Sequence, residues 1–180
     1  PDAFVFDVKV GEGAFMSTPE MAAEMARTLV DIAVLSGRKA NALITDMNQP
    51  LGNTAGNSLE IKETIECLNG EGPDDLMTVV MEIAGMMLKM GGESETIAEG
   101  KKKAGENIAN GKALDKFKEM VRAQGGDVSY IDDPSLFEEA GTAIALRADD
   151  NGYIHRINAL EMGMSCVALG AGREKADDRL

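Results

Sequence analysis

Apolar residues crowd the start of the chain without a helical gap. Phe4, Val5, Phe6, Val8 and Val10 make one short run that reads as a buried strand over residues 3–10. The period then changes. Met21, Met25, Leu29 and Ile32 recur every three to four residues, which predicts an amphipathic helix over residues 18–35. Ser17 and Glu20 are spaced for a capping box, Pro19 sits in the first turn, and Ser36-Gly37 ends the helix. A second short run, residues 40–45, predicts the next strand. Strand, long helix and strand make a βαβ unit with parallel strands and a right-handed crossover.

The sequence between residues 46 and 57 is polar and punctuated by glycine. A helix is predicted over 58–68, ended by Gly70, and another opens at Pro73-Asp74-Asp75 and runs to Met90. This helix has two apolar stripes, one through Leu76, Val80, Ile83 and Met87 and one through Val79, Met81, Met86 and Leu88, so it should be covered on most sides. Residues 94–110 are charged around Lys101-Lys102-Lys103 and read as a solvated helix. Leu114, Phe117 and Val121 mark one more amphipathic helix. Residues 127–133 read as an extended link and 134–140 as a short helical turn. Residues 142–147 and 153–157 read as two strands around the turn Asp150-Asn151-Gly152, and 159–169 as a last helix ended by Gly170-Ala171-Gly172. The predicted fold class is α/β: a three-layer sandwich in which a largely parallel sheet is flanked by helices, with a hairpin near the C-terminal end.

Composition narrows the function. The formal net charge is −13, a field that repels phosphate backbones and anionic lipid, so neither nucleic acid nor a membrane surface is an expected partner. Aromatic residues are 4% of the chain and Trp is absent, which leaves few platforms for stacking unpaired bases. Cys67 and Cys166 are the only cysteines, without zinc spacing, and indicate a reducing, cytoplasmic setting. No apolar stretch approaches the ~18 residues of a membrane span. The chain opens at Pro1 directly in a strand pattern, which predicts further sequence upstream.

Few residues announce chemistry. Gly11-Glu12-Gly13 lacks the third glycine of a dinucleotide fingerprint and reads as a flexible turn. Gly170-Ala171-Gly172-Arg173 reads as a helix cap with a basic residue near the negative end of the dipole. His155, the one histidine, has no nucleophile or carboxylate arranged beside it in sequence and reads as an edge-strand residue. The cysteines and the methionines of residues 77–90 read as packing. The loop of residues 46–57 stands out, because it is long for a strand-to-helix connection and follows the carboxyl end of a parallel strand, where open α/β sheets place ligands. Its carbonyls, with Glu63 in the next helix, can supply hard oxygen ligands to a cation; a plain connecting loop is the alternative.

At these loops the chain resembles a known family. Asp7-Val8-Lys9-Val10-Gly11-Glu12-Gly13-Ala14-Phe15-Met16 is similar to a signature of the thymidine and pyrimidine-nucleoside phosphorylases. Thr45-Asp46-Met47-Asn48-Gln49-Pro50-Leu51-Gly52 and Gly56-Asn57-Ser58-Leu59-Glu60-Ile61-Lys62-Glu63 resemble the next one. Gly70 to Leu76, Gln124 to Asp127 and Leu169 to Arg173 keep the family order. The resemblance implies a pentosyltransferase that cleaves thymidine, deoxyuridine or uridine with inorganic phosphate as co-substrate, and no organic cofactor. It implies that residues 1–140 are part of the α/β catalytic domain and that 141–180 run into a C-terminal domain. Phe15 and Met16 match positions lining the base pocket. Leu51 and Thr54 match positions whose carbonyls hold a monovalent cation, potassium, and Glu63 matches its carboxylate ligand. Asn53-Thr54-Ala55 departs from the commoner Tyr-Ala-Val, a change that a carbonyl ligand tolerates.

The family's phosphate loop and its base-gripping set have no counterpart in this chain, so the chain by itself is expected to lack catalytic residues and activity. Family members are homodimers, through a helical domain that has no match here. The loops after the first two strands are expected to open into one shared hollow. Two competing readings are a non-catalytic α/β scaffold or small-molecule binder, and a relative that transfers phosphoribosyl groups.

Overall fold

The computed structural model describes residues 1–171. Strand β1 (Ala3–Val10) and strand β2 (Lys39–Asp46) form a two-stranded parallel sheet, in register from Ala3 opposite Lys39 to Val10 opposite Asp46. Helix α1 (Pro19–Leu35) makes the crossover. Its N-cap is Thr18, whose Oγ1 accepts from the Met21 N–H at 3.3 Å, so the box expected from Ser17 and Glu20 is displaced by one residue. Proline explains the shift. It takes the first helical position, where a missing N–H costs nothing, and it holds the residue before it extended, as a cap must be.

Side chains alternate across the sheet, and each face meets a different helix. Val8 packs with Ala22 and Ala26 of α1, and Phe6, Val10, Ala42, Met16 and Leu29 close around them. The alanines let the helix sit near the strands. On the opposite face Asn41 reaches Met90 at the end of helix α3 (Asp74–Met90). Helix α3 contacts the sheet on one side and helix α4 (Ile97–Ala109) on another, but it is less covered than its two stripes predict, since Val80 and Met87 of the first stripe stay exposed. This gives three layers, α1, sheet and α3, with α4 behind.

Helix α4 keeps Lys102 and Lys103 in solvent, as its charge suggests, but its other side packs on α3. Thr96 and Glu99 form a full capping box, Lys101 pairs with Glu82 of α3, and Gly100 is buried against Gly85. A Cβ on Gly100 would lie 2.6 Å from the Gly85 carbonyl oxygen. Gly100→Ala should therefore destabilise the fold by about 1–2 kcal/mol, overpacking outweighing the ~1 kcal/mol gain in helix propensity. Denaturant unfolding of the variant against wild type measures this.

Helix α2 (Asn57–Leu68) joins the β2 loop to α3, and helix α5 (Lys112–Ala123) follows α4. Residues 127–133 are not extended: Asp127 accepts from the Ser129 N–H at 2.9 Å in a turn that leads into a short helix α6 (Ser129–Asp132), and a 3-10 turn Pro134–Leu136 follows. The predicted hairpin is absent among the described residues. Residues 142–147 and 153–157 form no strand, and Leu146 and Tyr153 are fully exposed. A two-stranded hairpin is marginal without an apolar surface beneath it, and the described residues supply none. Helix α7 (Ala159–Ala168) starts at Asn158, which accepts from the Glu161 N–H at 3.1 Å. It ends as expected, with Gly170 N–H on the Val167 carbonyl and Ala171 N–H on the Cys166 carbonyl, while Gly172 and Arg173 lie outside the described residues.

Candidate functional site

Both strands stop at the same edge, and the two loops leaving them are stitched together there. Met47 N–H donates to the Val10 carbonyl at 2.7 Å, Gly13 N–H to the Met47 carbonyl at 3.0 Å, and Glu12 N–H to Asn48 Oδ1 at 3.2 Å. Asn48 is held in turn by Asp46, whose Oδ1 accepts from its backbone and side-chain nitrogens. Gly11 makes the stitch possible. Its φ is +132°, and a Cβ there would lie 2.7–2.8 Å from Asn48 and Met47, so the loops approach as bare backbone. Gly11 N–H closes the turn on the Met16 carbonyl at 3.0 Å, and Phe15 is left 99% exposed at its tip. Beneath it is a mainly apolar hollow of about 420 Å³, lined by Phe15, Met16, Met47 and α1 residues Met25 and Leu29.

The second loop is gripped by carboxylates. Glu63, on α2, is 4% exposed; its Oε1 accepts from Asn53 N–H at 2.7 Å and its Oε2 from the Thr54 hydroxyl at 3.0 Å. Gly52 fits against it so closely that a Cβ would lie 2.5 Å from Glu63 Oε2. Asp75, in the first turn of α3, accepts from Gly52 N–H at 3.0 Å, and Glu60 from Gly56 N–H at 2.9 Å. Among the described residues no cationic side chain lies within ion-pair distance of Glu63. A buried carboxylate in that position is costly unless hydrogen bonds or a bound cation compensate it.

Residues 2–114 match the family model described as "Glycosyl transferase family, a/b domain". The chain belongs to this family. Within it, this glycosyl transferase chain is similar to the pyrimidine-nucleoside phosphorylase of Bacillus subtilis (strain 168), 45% identical over 99% of the chain and 41% of that protein. It is also similar to the proteins of the same name from Staphylococcus haemolyticus (strain JCSC1435), at 42% over 99% of the chain, and Staphylococcus aureus (strain USA300), at 41% over 98%. The chain spans about two fifths of the length of these relatives.

The structure of this family member joins Thr54 to Glu63 and places Leu51 next to Gly52 in the same loop, with Phe15 and Met16 in the other loop, but among the described residues the hollows that Leu51 and Phe15 border are separate. Phe15 and Met16 border the cavity on the α1 side. Leu51 borders a separate one of about 290 Å³ with Asp46, Gln49, Pro50 and α3 residues Asp75 and Thr78. The reason is topological. The loop after β1 leads into the helix covering one face of the sheet, and the loop after β2 leads through α2 to the helix covering the other. The shared boundary is the backbone of residues 46–48.

Several contacts have no counterpart in the sequence reading. Thr54 contributes its hydroxyl as well as its backbone, and Asp75 takes part in the grip. On the α3-facing side of the sheet, Lys9 Nζ lies 2.7 Å from Asp7 Oδ2 and 2.9 Å from Thr45 Oγ1, and the Thr45 hydroxyl donates to Asp7 Oδ1 at 2.5 Å. The two-residue spacing of Asp7 and Lys9 in a strand is the signal that finds this pair. Cys67 is buried, and burial followed by the Glu63 and Glu66 charges raises its thiol pKa, which suits packing and not nucleophilic attack. His155 is exposed and on no strand.

Proposed function

We propose that the full-length protein carrying this chain is a pyrimidine-nucleoside phosphorylase, converting thymidine, deoxyuridine or uridine and inorganic phosphate into free base and (deoxy)ribose 1-phosphate. The observation that carries the reading is identity above 40% to enzymes of that name, spread across the whole chain. In the reaction a phosphate oxygen bonds to the anomeric carbon, the carbon–nitrogen bond breaks, and its electron pair leaves with the pyrimidine. Such a reaction needs an anchored phosphate and donors at the base oxygens. This chain offers neither set; its part is to border the cleft. Phe15 and Met16 supply an apolar wall for the flat base, with the hollow under Phe15 as the space beside it.

Potassium is the cation this reading implies, with the Leu51 and Thr54 carbonyls and the Glu63 carboxylate as its ligands. The fit is supported by the donor chemistry: hard oxygens around a buried negative charge that no described cationic side chain neutralises. Bound there, the ion would brace the 46–57 loop and leave bond making to groups elsewhere. Residues 1–140 are read as part of the catalytic α/β domain and 141–180 as the run into a following domain. The protein is read as a cytoplasmic homodimer without nucleic-acid or membrane partners; among the described residues no helix is long and apolar enough to cross a membrane. Release of uracil or thymine by the full-length protein, strictly dependent on added phosphate, tests the proposal. Turnover of phosphoribosyl diphosphate with an acceptor, in place of nucleoside, would replace it with a phosphoribosyltransferase.

A further inference from the structure

Glu12 and Arg156 stand 144 residues apart in the chain and meet beside the Phe15 loop. Arg156 Nη2 donates to Glu12 Oε1 at 2.5 Å and to Oε2 at 2.6 Å, and Arg156 Nε donates to Oε2 at 3.1 Å. This fork-on-carboxylate geometry restricts both side chains in a way a single lysine contact does not. The pair also raises the Arg156 pKa, first through the hydrogen bond and then through the Glu12 charge.

A second, steric contact lies alongside. Ala159, three residues past Arg156, sits where a Cβ on Gly13 would come within 2.7 Å of its own Cβ. Glu12 and Gly13 are thus fixed on one side by the Asn48 and Met47 stitches and on the other by Arg156 and Ala159. Residues 142–157, which bring Arg156 there, have no regular structure of their own and follow the stretch that matches the a/b domain. The contact therefore couples the segment after that domain to the loop carrying Phe15.

We propose that Arg156 is a positioning residue for the nucleoside: through Glu12 it holds the Gly11–Met16 loop, and with it Phe15, in the orientation that meets the pyrimidine. The inference rests on the phosphorylase reading. Arg156 itself touches no substrate in this account. An exposed ion pair adds little to global stability, so its effect is local, on the loop.

The test is kinetic, in the full-length protein, with Arg156→Gln, Glu12→Gln and the exchanged pair Glu12→Arg with Arg156→Glu. Each single variant is expected to raise the nucleoside KM about three- to tenfold while the phosphate KM and kcat stay near wild type. The exchanged pair should return the nucleoside KM to within about twofold, as an ion-pair role requires and a packing role does not. Hydrogen exchange of the peptide covering residues 11–16 should quicken in Arg156→Gln. A wild-type nucleoside KM and unchanged loop exchange in Arg156→Gln, beside an active wild type, would overturn the inference alone. An inactive wild type would remove the phosphorylase reading, and this inference with it. If the exchanged pair does not fold, the mild Arg156→Gln variant decides.

Discussion

Gly11→Ala should destabilise the protein by about 2–6 kcal/mol and, on the phosphorylase reading, abolish most phosphorolysis by the full-length protein. Two costs add. At φ +132° a side chain imposes backbone strain of about 1–3 kcal/mol, and a Cβ 2.7–2.8 Å from Asn48 and Met47 adds overpacking of about 1–3 kcal/mol. Besides the Asn48 side-chain oxygen, the second cost falls on the Asn48 nitrogen and the Met47 carbonyl carbon, backbone atoms that cannot swing away as the end of a flexible side chain can. Relief requires the two loops to part, breaking the Met47-to-Val10 and Gly13-to-Met47 hydrogen bonds. Gly37→Ala is the control. That glycine also has positive φ, +73°, but a Cβ there would meet nothing within 4 Å, so only about 1–2 kcal/mol is expected. Equal losses in denaturant unfolding of the two variants would show that loop contact contributes nothing.

The second large effect is at Glu63. Removing its carboxylate in Glu63→Ala leaves the Asn53 N–H and the Thr54 hydroxyl without their acceptor in a buried site, a loss of about 3 kcal/mol. Glu63→Gln separates hydrogen bonding from charge. Its amide oxygen can still accept from Asn53, and the Thr54 hydroxyl can rotate to accept from the new NH₂ group, so the stability loss should stay below about 1 kcal/mol. The Gln variant should nevertheless lose any stabilisation that wild type gains in potassium over sodium, because the neutral amide no longer offsets a cation's lost hydration. Thermal unfolding of both variants in each salt reads the two effects apart. A Gln variant that keeps the wild-type potassium response would move the cation away from Glu63.

What was legible in the sequence was what local periodicity encodes. The crowded apolar run of β1, the three-to-four spacing of α1 and the double stripe of α3 each mark an element, and each element formed, but α1 buries Ala22, Ala26 and Ala33 while Met21, Met25 and Ile32 stay exposed, as do Val80 and Met87 of α3. Thr18 displaced Ser17 as the cap because the stereochemistry of Pro19 is stronger than a box pattern. Three features were not legible, for different reasons. The charge at Lys102 and Lys103 marks the exposed face of α4, whereas Gly100 has no side chain to announce that the opposite face will pack on a helix. The pattern around Asn151-Gly152 suits a hairpin, but a strand exists only with a partner and a covered face, and residues 142–157 have neither among the described residues. Glu12 and Arg156 carry no mutual signal across 144 residues.

The candidate site divides along the same line. Glu63, Thr54 and Leu51 lie close in sequence, and their loop could be found from its length, polarity and position after a parallel strand. That Phe15 and Leu51 would border different hollows could not be found, since it follows from which face of the sheet each succeeding helix covers. The cleft in this account is therefore an edge with two sides, one for the base and one for the braced loop, joined by residues 46–48.

Hydrogen exchange of the full-length protein, with and without uracil plus phosphate, tests that edge most directly. The account predicts slowed exchange in the peptide covering residues 11–16 when both ligands are present, with the α4 and α5 peptides unchanged. Protection confined to other parts of the protein, with the 11–16 peptide exchanging at its unliganded rate, would contradict it.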